Sequence, residues 1–81
     1  MTLTIYSKKD CSFCKKFKAL VQFEELKHVV YELDRDFTKE EFYDKFGKGS
    51  TFPQILLDEI SLGGCVDSVK YLKEKKLCCM V

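Results

Sequence analysis

Two cysteines three residues apart, placed where an alternating segment gives way to a helical one, constrain this chain more than any other feature. Leu3 and Ile5 alternate with Thr4 and Tyr6, which predicts a short N-terminal strand. From Ser12 onward Phe13, Phe17, Leu20 and Val21 recur at helical spacing, with Lys15, Lys16, Lys18 and Gln22 on the other side, predicting an amphipathic helix over 12 to about 25. Cys11-Ser12-Phe13-Cys14 therefore falls on a strand-to-helix turn. The first turn of a helix presents unpaired N–H groups and the positive end of the dipole, and both favour thiolate over thiol. Such a place can bring a thiol pKa from about 8.5 into the range of about 3.5–7.5. Five Lys against one Asp between residues 8 and 18, Lys8 and Lys15 among them, add positive charge nearby. Cys14 lies one helical turn on, where its sulfur can meet that of Cys11 in a small disulfide ring. Attack by one thiolate and resolution by the other is the chemistry this spacing permits.

The other cysteines narrow the setting. There are five in 81 residues, and an odd number argues against a fully paired secreted framework. A reducing cytoplasm is the expected compartment. A zinc site would need two more ligands at suitable spacing, but Cys78 and Cys79 are adjacent and His28 stands alone in a predicted strand, so no structural metal is expected. The pair Cys78-Cys79, next to Met80 and Val81, is expected to be a frayed tail with free thiols.

Length and charge exclude further classes. Eighty-one residues suit a single domain spanning 1–81, and 46% apolar with 33% charged residues suits a globular fold. A net charge of +1 is unlike a small nucleic-acid binder. No apolar run nears the roughly 20 residues that span a bilayer, and Met1 to Tyr6 is too short for a signal peptide. A monomer without nucleic-acid or membrane partners is expected.

Downstream, His28 to Leu33 reads as a second strand, broken by Asp34-Arg35-Asp36. Thr38-Lys39-Glu40-Glu41 fits a capping box opening a short helix with Phe42 and Phe46 inward. Gly47-Lys48-Gly49-Ser50 stops it, Pro53 opens the strand Gln54 to Leu57, and Asp58-Glu59 turns into Ile60-Ser61-Leu62. After Gly63-Gly64, Val66, Val69 and Leu72 mark the inner face of a last helix, with Lys70, Lys73, Lys75 and Lys76 toward water. The predicted order is βαβαββα.

Tyr6-Ser7-Lys8, Cys11-Ser12-Phe13-Cys14, Thr51-Phe52-Pro53-Gln54 and Gly63-Gly64-Cys65-Val66-Asp67 resemble the signatures of the glutaredoxins, in order and at the family's spacing, over nearly the whole chain. The resemblance implies a thioredoxin-like α/β fold, a four-stranded mixed sheet flanked by helices. It implies glutathione-dependent thiol–disulfide exchange, with Cys11 as nucleophile and Cys14 as resolving residue. Lys8 and Phe13 match positions that contact glutathione beside the nucleophile, and Thr51 belongs to the same set. The backbone of Phe52, before a cis Pro53, would pair with the cysteinyl unit as an added strand does. Gly64, Cys65, Val66 and Asp67 match the segment receiving the γ-glutamyl end, where a helix N-terminus suits a carboxylate and Asp67 suits an ammonium. Clients would be glutathionylated or disulfide-bearing proteins, ribonucleotide reductase among those the family suggests.

Departures from the pattern carry their own expectations. Asp10 stands where the family usually has an uncharged residue, and its charge opposes ionisation of Cys11. Ser50 replaces a basic or polar residue, so Lys48 would have to meet the glycyl carboxylate. Cys65 is expected to pack as a small hydrophobe rather than act as a third redox centre. Ser12 replaces the motif's proline, which resembles the members that share a [2Fe-2S] cluster between two subunits through Cys11 and bound glutathione. Other readings of the CxxC are a thioredoxin reduced by a flavoprotein, against which the CSFC motif and the lack of Trp speak, and an iron-sulfur carrier or sensor.

Overall fold

The computed structural model describes residues 2–75, and its elements follow the order βαβαββα. They are β1 (Leu3–Ser7), α1 (Ser12–Phe23), β2 (His28–Glu32), α2 (Lys39–Phe46), β3 (Gln54–Leu57), β4 (Ile60–Gly63) and α3 (Cys65–Glu74). Lys76, Cys78 and Cys79, for which the sequence suggested a solvated face and free thiols, lie outside the described residues. Among the described residues no helix is long and apolar enough to cross a membrane.

The strands form one mixed sheet in the order β2-β1-β3-β4, with β1 parallel to β2 and antiparallel to β3, and β3 antiparallel to β4. Because side chains alternate across a strand, β1 sends Leu3, Ile5 and Ser7 to one face, where all three are buried. There they meet Phe17 and Val21 of α1, Ile55 and Leu57 of β3, Leu62 of β4 and Leu72 of α3. Tyr6, on the opposite face, belongs to a second apolar layer with Tyr31, Phe37 and Phe46, its ring 5.0–5.4 Å from each of theirs. That layer runs on through Phe42 to Phe52, whose rings stack at 4.2 Å and 11°.

Local chemistry accounts for most boundaries. The capping box is present: the Thr38 hydroxyl accepts from the Glu41 N–H at 3.2 Å, and the Glu41 carboxylate accepts from the Thr38 N–H at 3.0 Å. Phe42 is buried and Phe46 half-buried, as expected. α1 ends at Phe23, two residues short of expectation, because the chain closes it with a Schellman turn. Glu25 takes the left-handed conformation at φ 54°, its N–H bonds the Gln22 carbonyl, and the Leu26 N–H bonds that of Val21.

The inner faces of α1 and α3 need correction at their first turns. Phe13 and Val66, assigned to the apolar stripes by spacing, are 51% and 71% exposed. Cys14 and Ser68 are fully buried, while Phe17, Val21 and Leu72 hold their expected places. Phe13 and Val66 are each the second residue of their helix. In each first turn the core-facing place goes to Cys14 or Ser68, while Phe13 and Val66 line an open groove, which spacing alone cannot register.

Candidate active site

β1 and α1 set the redox pair. The chain leaves the buried end of β1 at Ser7, crosses the exposed Lys8, Lys9 and Asp10, and enters α1 with Cys11 as the N-cap. Asp10 takes φ 57°, a left-handed conformation that Asp tolerates better than most residues. Cys11 Sγ occupies the place of the usual capping oxygen and accepts from the Cys14 N–H at 3.2 Å. Cys11 and Cys14 are joined as a disulfide with their Cα atoms 5.2 Å apart. Their surroundings differ: Cys14 is 0% exposed and Cys11 7%.

A groove of about 200 Å³ opens beside this turn. Phe13 forms one wall, and Thr51, Phe52 and Pro53 form another. The start of α3, with Gly64, Cys65, Val66 and Asp67, closes the end. Eight positions from three distant stretches of sequence thus line one groove. Lys8 is the remaining residue of the expected set and does not line it. Its Nζ lies 5.4 Å from the centroid of the Phe52 ring, and its stem faces a neighbouring cleft with Lys9, Leu33 and Arg35.

Phe52 is steadied from behind by the stack with Phe42, and the peptide bond that joins it to the buried Pro53 is cis. Thr51 is exposed, and its carbonyl accepts from the Gln54 side chain at 2.9 Å. At the other end Gly64 is the N-cap of α3, and it makes no side-chain cap bond. Asp67, third in the helix, packs against Gly63, where φ is 90° and an added Cβ would sit 3.2 Å from the Asp67 carboxylate. Glycine is needed at 63 on both counts. Ser50 turns its hydroxyl to the Phe46 carbonyl at 2.8 Å, and Lys48 is exposed.

Cys65 is a free, half-buried thiol packed against the main core. Burial pushes its pKa up, with the Lys16 ammonium pulling the other way. Lys16 also lies over Phe13, 5.5 Å from the ring centroid, so it touches the groove's wall, a role that its place on the polar side of α1 did not suggest. Among the described residues no three His, Cys, Asp or Glu side chains cluster as a metal site. Chemically the arrangement offers one reachable sulfur at a helix N-terminus, a second sulfur behind it, and a lined groove alongside.

Comparison with known proteins bears on this arrangement. The glutaredoxin family model matches residues 3–60. Glutaredoxin 1 of Rickettsia prowazekii (strain Madrid E) is 39% identical over 82 residues, covering 94% of this chain and 82% of that protein. The crystal structure of Glutaredoxin 1 from Francisella tularensis, complexed with cacodylate, superposes with a TM-score of 0.76 at 24% identity, over 94% of this chain and 95% of the other. A buckwheat glutaredoxin–glutathione complex superposes with a TM-score of 0.76 at 23% identity, over 93% and 71% of the two chains. The chain belongs to the glutaredoxin family and is a thiol–disulfide oxidoreductase with a thioredoxin-like fold.

Proposed function

We propose that this protein, a single domain over 1–81, reduces protein–glutathione mixed disulfides and protein disulfides at the expense of glutathione, with Cys11 as nucleophile and Cys14 as resolving residue. The observation that carries the assignment is the unequal placement of the two sulfurs. Cys14 is fully buried, whereas Cys11 has residual exposure and accepts a helix N-terminal N–H. That hydrogen bond strengthens as charge develops on sulfur, so it favours the thiolate and its departure as a leaving group.

Starting from the reduced protein, the Cys11 thiolate attacks the glutathione sulfur of a mixed disulfide. A Cys11–glutathione disulfide forms, and the client sulfur leaves with the electron pair and takes a proton from water. A second glutathione thiolate then attacks the glutathione sulfur held on Cys11, releasing oxidised glutathione and returning Cys11 as thiolate. With a protein disulfide, Cys11 first bonds to the client. Cys14 displaces it to close the Cys11–Cys14 disulfide, and two glutathiones reopen that bond.

Glutathione fits the groove by chemistry. Phe52 lines the groove and its backbone would pair with a peptide as an added strand does, the start of α3 suits a carboxylate, Asp67 suits an ammonium, and Lys8 adds a cation from the flank. The neighbour solved with glutathione supports the same ligand. The cytoplasm, where thiols remain reduced, suits this chemistry. Reduction of a glutathionylated small disulfide, coupled to glutathione reductase, tests the proposal. Turnover should require glutathione; turnover driven instead by a flavoprotein disulfide reductase alone would replace this reading by a thioredoxin's.

A second reading rests on Ser12, exposed at the first position of α1 where a proline would stiffen the turn. A [2Fe-2S] cluster takes four thiolates, and with Cys14 buried this turn offers Cys11, which suits a cluster shared by two copies and two glutathiones. Anaerobic reconstitution with iron, sulfide and glutathione should give a coloured dimer that Cys11→Ser cannot form. A colourless monomer rules the cluster out.

A further inference from the structure

The function proposed above leaves open what distinguishes one client from another. We propose that a collar of lysines around Cys11 selects clients whose target cysteine lies in an acidic segment, Lys9, Lys15 and Lys16 forming the collar and Lys8 its edge. This rests on the reading that the chain turns over glutathionylated proteins.

Three observations converge on the collar. Residues 8 to 18 hold five Lys against one Asp in a chain of net charge +1, so the rest of the molecule is net acidic and the positive charge is concentrated at the redox turn. Lys8, Lys9, Lys15 and Lys16 are all exposed. The ion pairs among the described residues are those of Arg35 with Glu32 and with Asp36, so none of the four has an acidic partner there.

Two of these lysines are held in place by the groove itself. Lys8 lies over Phe52 and Lys16 over Phe13, at 5.4 and 5.5 Å from the ring centroids, and those rings form opposite walls. Cation–π contact restrains a long side chain before any client arrives, which lowers the ordering cost of binding. Beyond Lys8 and Lys9 lies a cleft of about 400 Å³ floored by Leu33. Glu32, Asp34 and Arg35 line it too, and with Arg35 paired to Glu32 and Asp36 the free cations there are Lys8 and Lys9.

Reaction geometry brings the client over this surface. Glutathione occupies the groove, the attacked sulfur lies between Cys11 and the client sulfur, and the polypeptide must leave the groove at that point. Asp10, Asp34 and Asp67 are the opposing charges, with Glu32 paired to Arg35, and the five lysines of the loop and first helical turns outnumber them. Single exposed ion pairs are weak and screened by salt. The collar therefore acts on encounter, in kcat/KM and its salt dependence, rather than on the chemical step.

The test uses three glutathionylated peptides of one sequence, with the cysteine flanked by two Glu, two Gln or two Lys. Rates are normalised to those for the mixed disulfide of glutathione and 2-mercaptoethanol, whose leaving group carries no charged side chains. At about 20 mM salt kcat/KM should fall from Glu through Gln to Lys by about tenfold overall, shrinking to about twofold or less at about 0.5 M. The double variant Lys9→Glu, Lys16→Glu should bring the low-salt preference to about twofold or less. Equal rates at low salt, or a preference that survives salt or the double variant, overturn the proposal. Failure of the wild type to turn over the small mixed disulfide would instead overturn the function on which it rests.

Discussion

Cys11 and Cys65 stand in the same kind of place, and their sulfurs meet different surroundings. Each follows a strand and opens a helix, Cys11 as N-cap of α1 and Cys65 as first residue of α3. The Cys11 sulfur is turned back over its helix and accepts the Cys14 N–H. Cys65 follows a glycine cap that makes no side-chain bond, and burial raises its thiol pKa. A helix N-terminus therefore does not activate a cysteine by proximity. The sulfur has to be the group that the free N–H addresses, and one residue of register decides it.

The largest expected effect comes from exchanging sulfur for oxygen at each position. Cys11→Ser should lower all disulfide-exchange activity by more than about a thousandfold, since the attacking thiolate is gone. Cys14→Ser should keep deglutathionylation within about threefold of wild type while losing the reduction of protein disulfides. Cys65→Ser should leave both within about twofold. Coupled assays with a glutathionylated small disulfide and a protein disulfide separate the cases. Loss of the glutathione reaction in Cys14→Ser would break the division of labour, and a large loss in Cys65→Ser would break the comparison.

A smaller effect is expected in thiol reactivity. The Cys65 thiol is raised above its ordinary value of 9.0, so at pH 7–8 less of it is thiolate than in the unfolded chain. The sign for stability follows: the fold prefers the protonated thiol, a contribution present below pH 9 and lost as pH rises past it. In the reduced protein, brief iodoacetamide treatment followed by peptide mass mapping should find Cys11 alkylated at least about tenfold faster than Cys65, and Cys65 slower than the same peptide after unfolding. Equal labelling of the two would show that sulfur placement does not separate them.

The same contrast marks how much could be read before any coordinates. The Cys11 turn is legible because it is local: a strand's alternation, a helix's spacing and two cysteines between them fix it within about twenty residues. The Thr38–Glu41 box is legible for the same reason. The groove is not local. It draws on Phe13, Thr51–Pro53 and Gly64–Asp67, and only the family's pattern of motifs related those stretches in advance. Misreadings fall where two rules compete. Phe13 and Val66 obey helical spacing yet stand exposed, because in their first turns Cys14 and Ser68 take the core and these two side chains line the groove. Lys16 drew no attention because its spacing puts it on the polar face, and its stacking on Phe13 depends on how far that ring is exposed.

The smallest expected effect concerns what the Cys11 cap costs. α2 is closed by a full capping box, and replacing its hydroxyl by Thr38→Ala should destabilise the protein by about 1 kcal/mol. α1 has sulfur where oxygen would serve better, because a thiol is a poor acceptor for an amide N–H and a serine hydroxyl is among the preferred caps. The two helices then differ in what their caps are for, stability in α2 and reactivity in α1. Cys11→Ser, expected to be inactive, should therefore be more stable than the reduced wild type by about 0.5 kcal/mol, the usual direction when a functional group is replaced by the structurally better one. The reference must be the reduced protein, since the disulfide adds its own constraint on the unfolded chain. Urea titrations of wild type, Thr38→Ala and Cys11→Ser in excess reductant make the comparison, at a pH low enough to keep Cys11 protonated in the folded state as well, since a folded-state thiolate would add stability of its own. A midpoint for Cys11→Ser at or below that of reduced wild type would mean that the sulfur caps α1 as well as an oxygen does, and that the turn gives up no stability to hold a nucleophile.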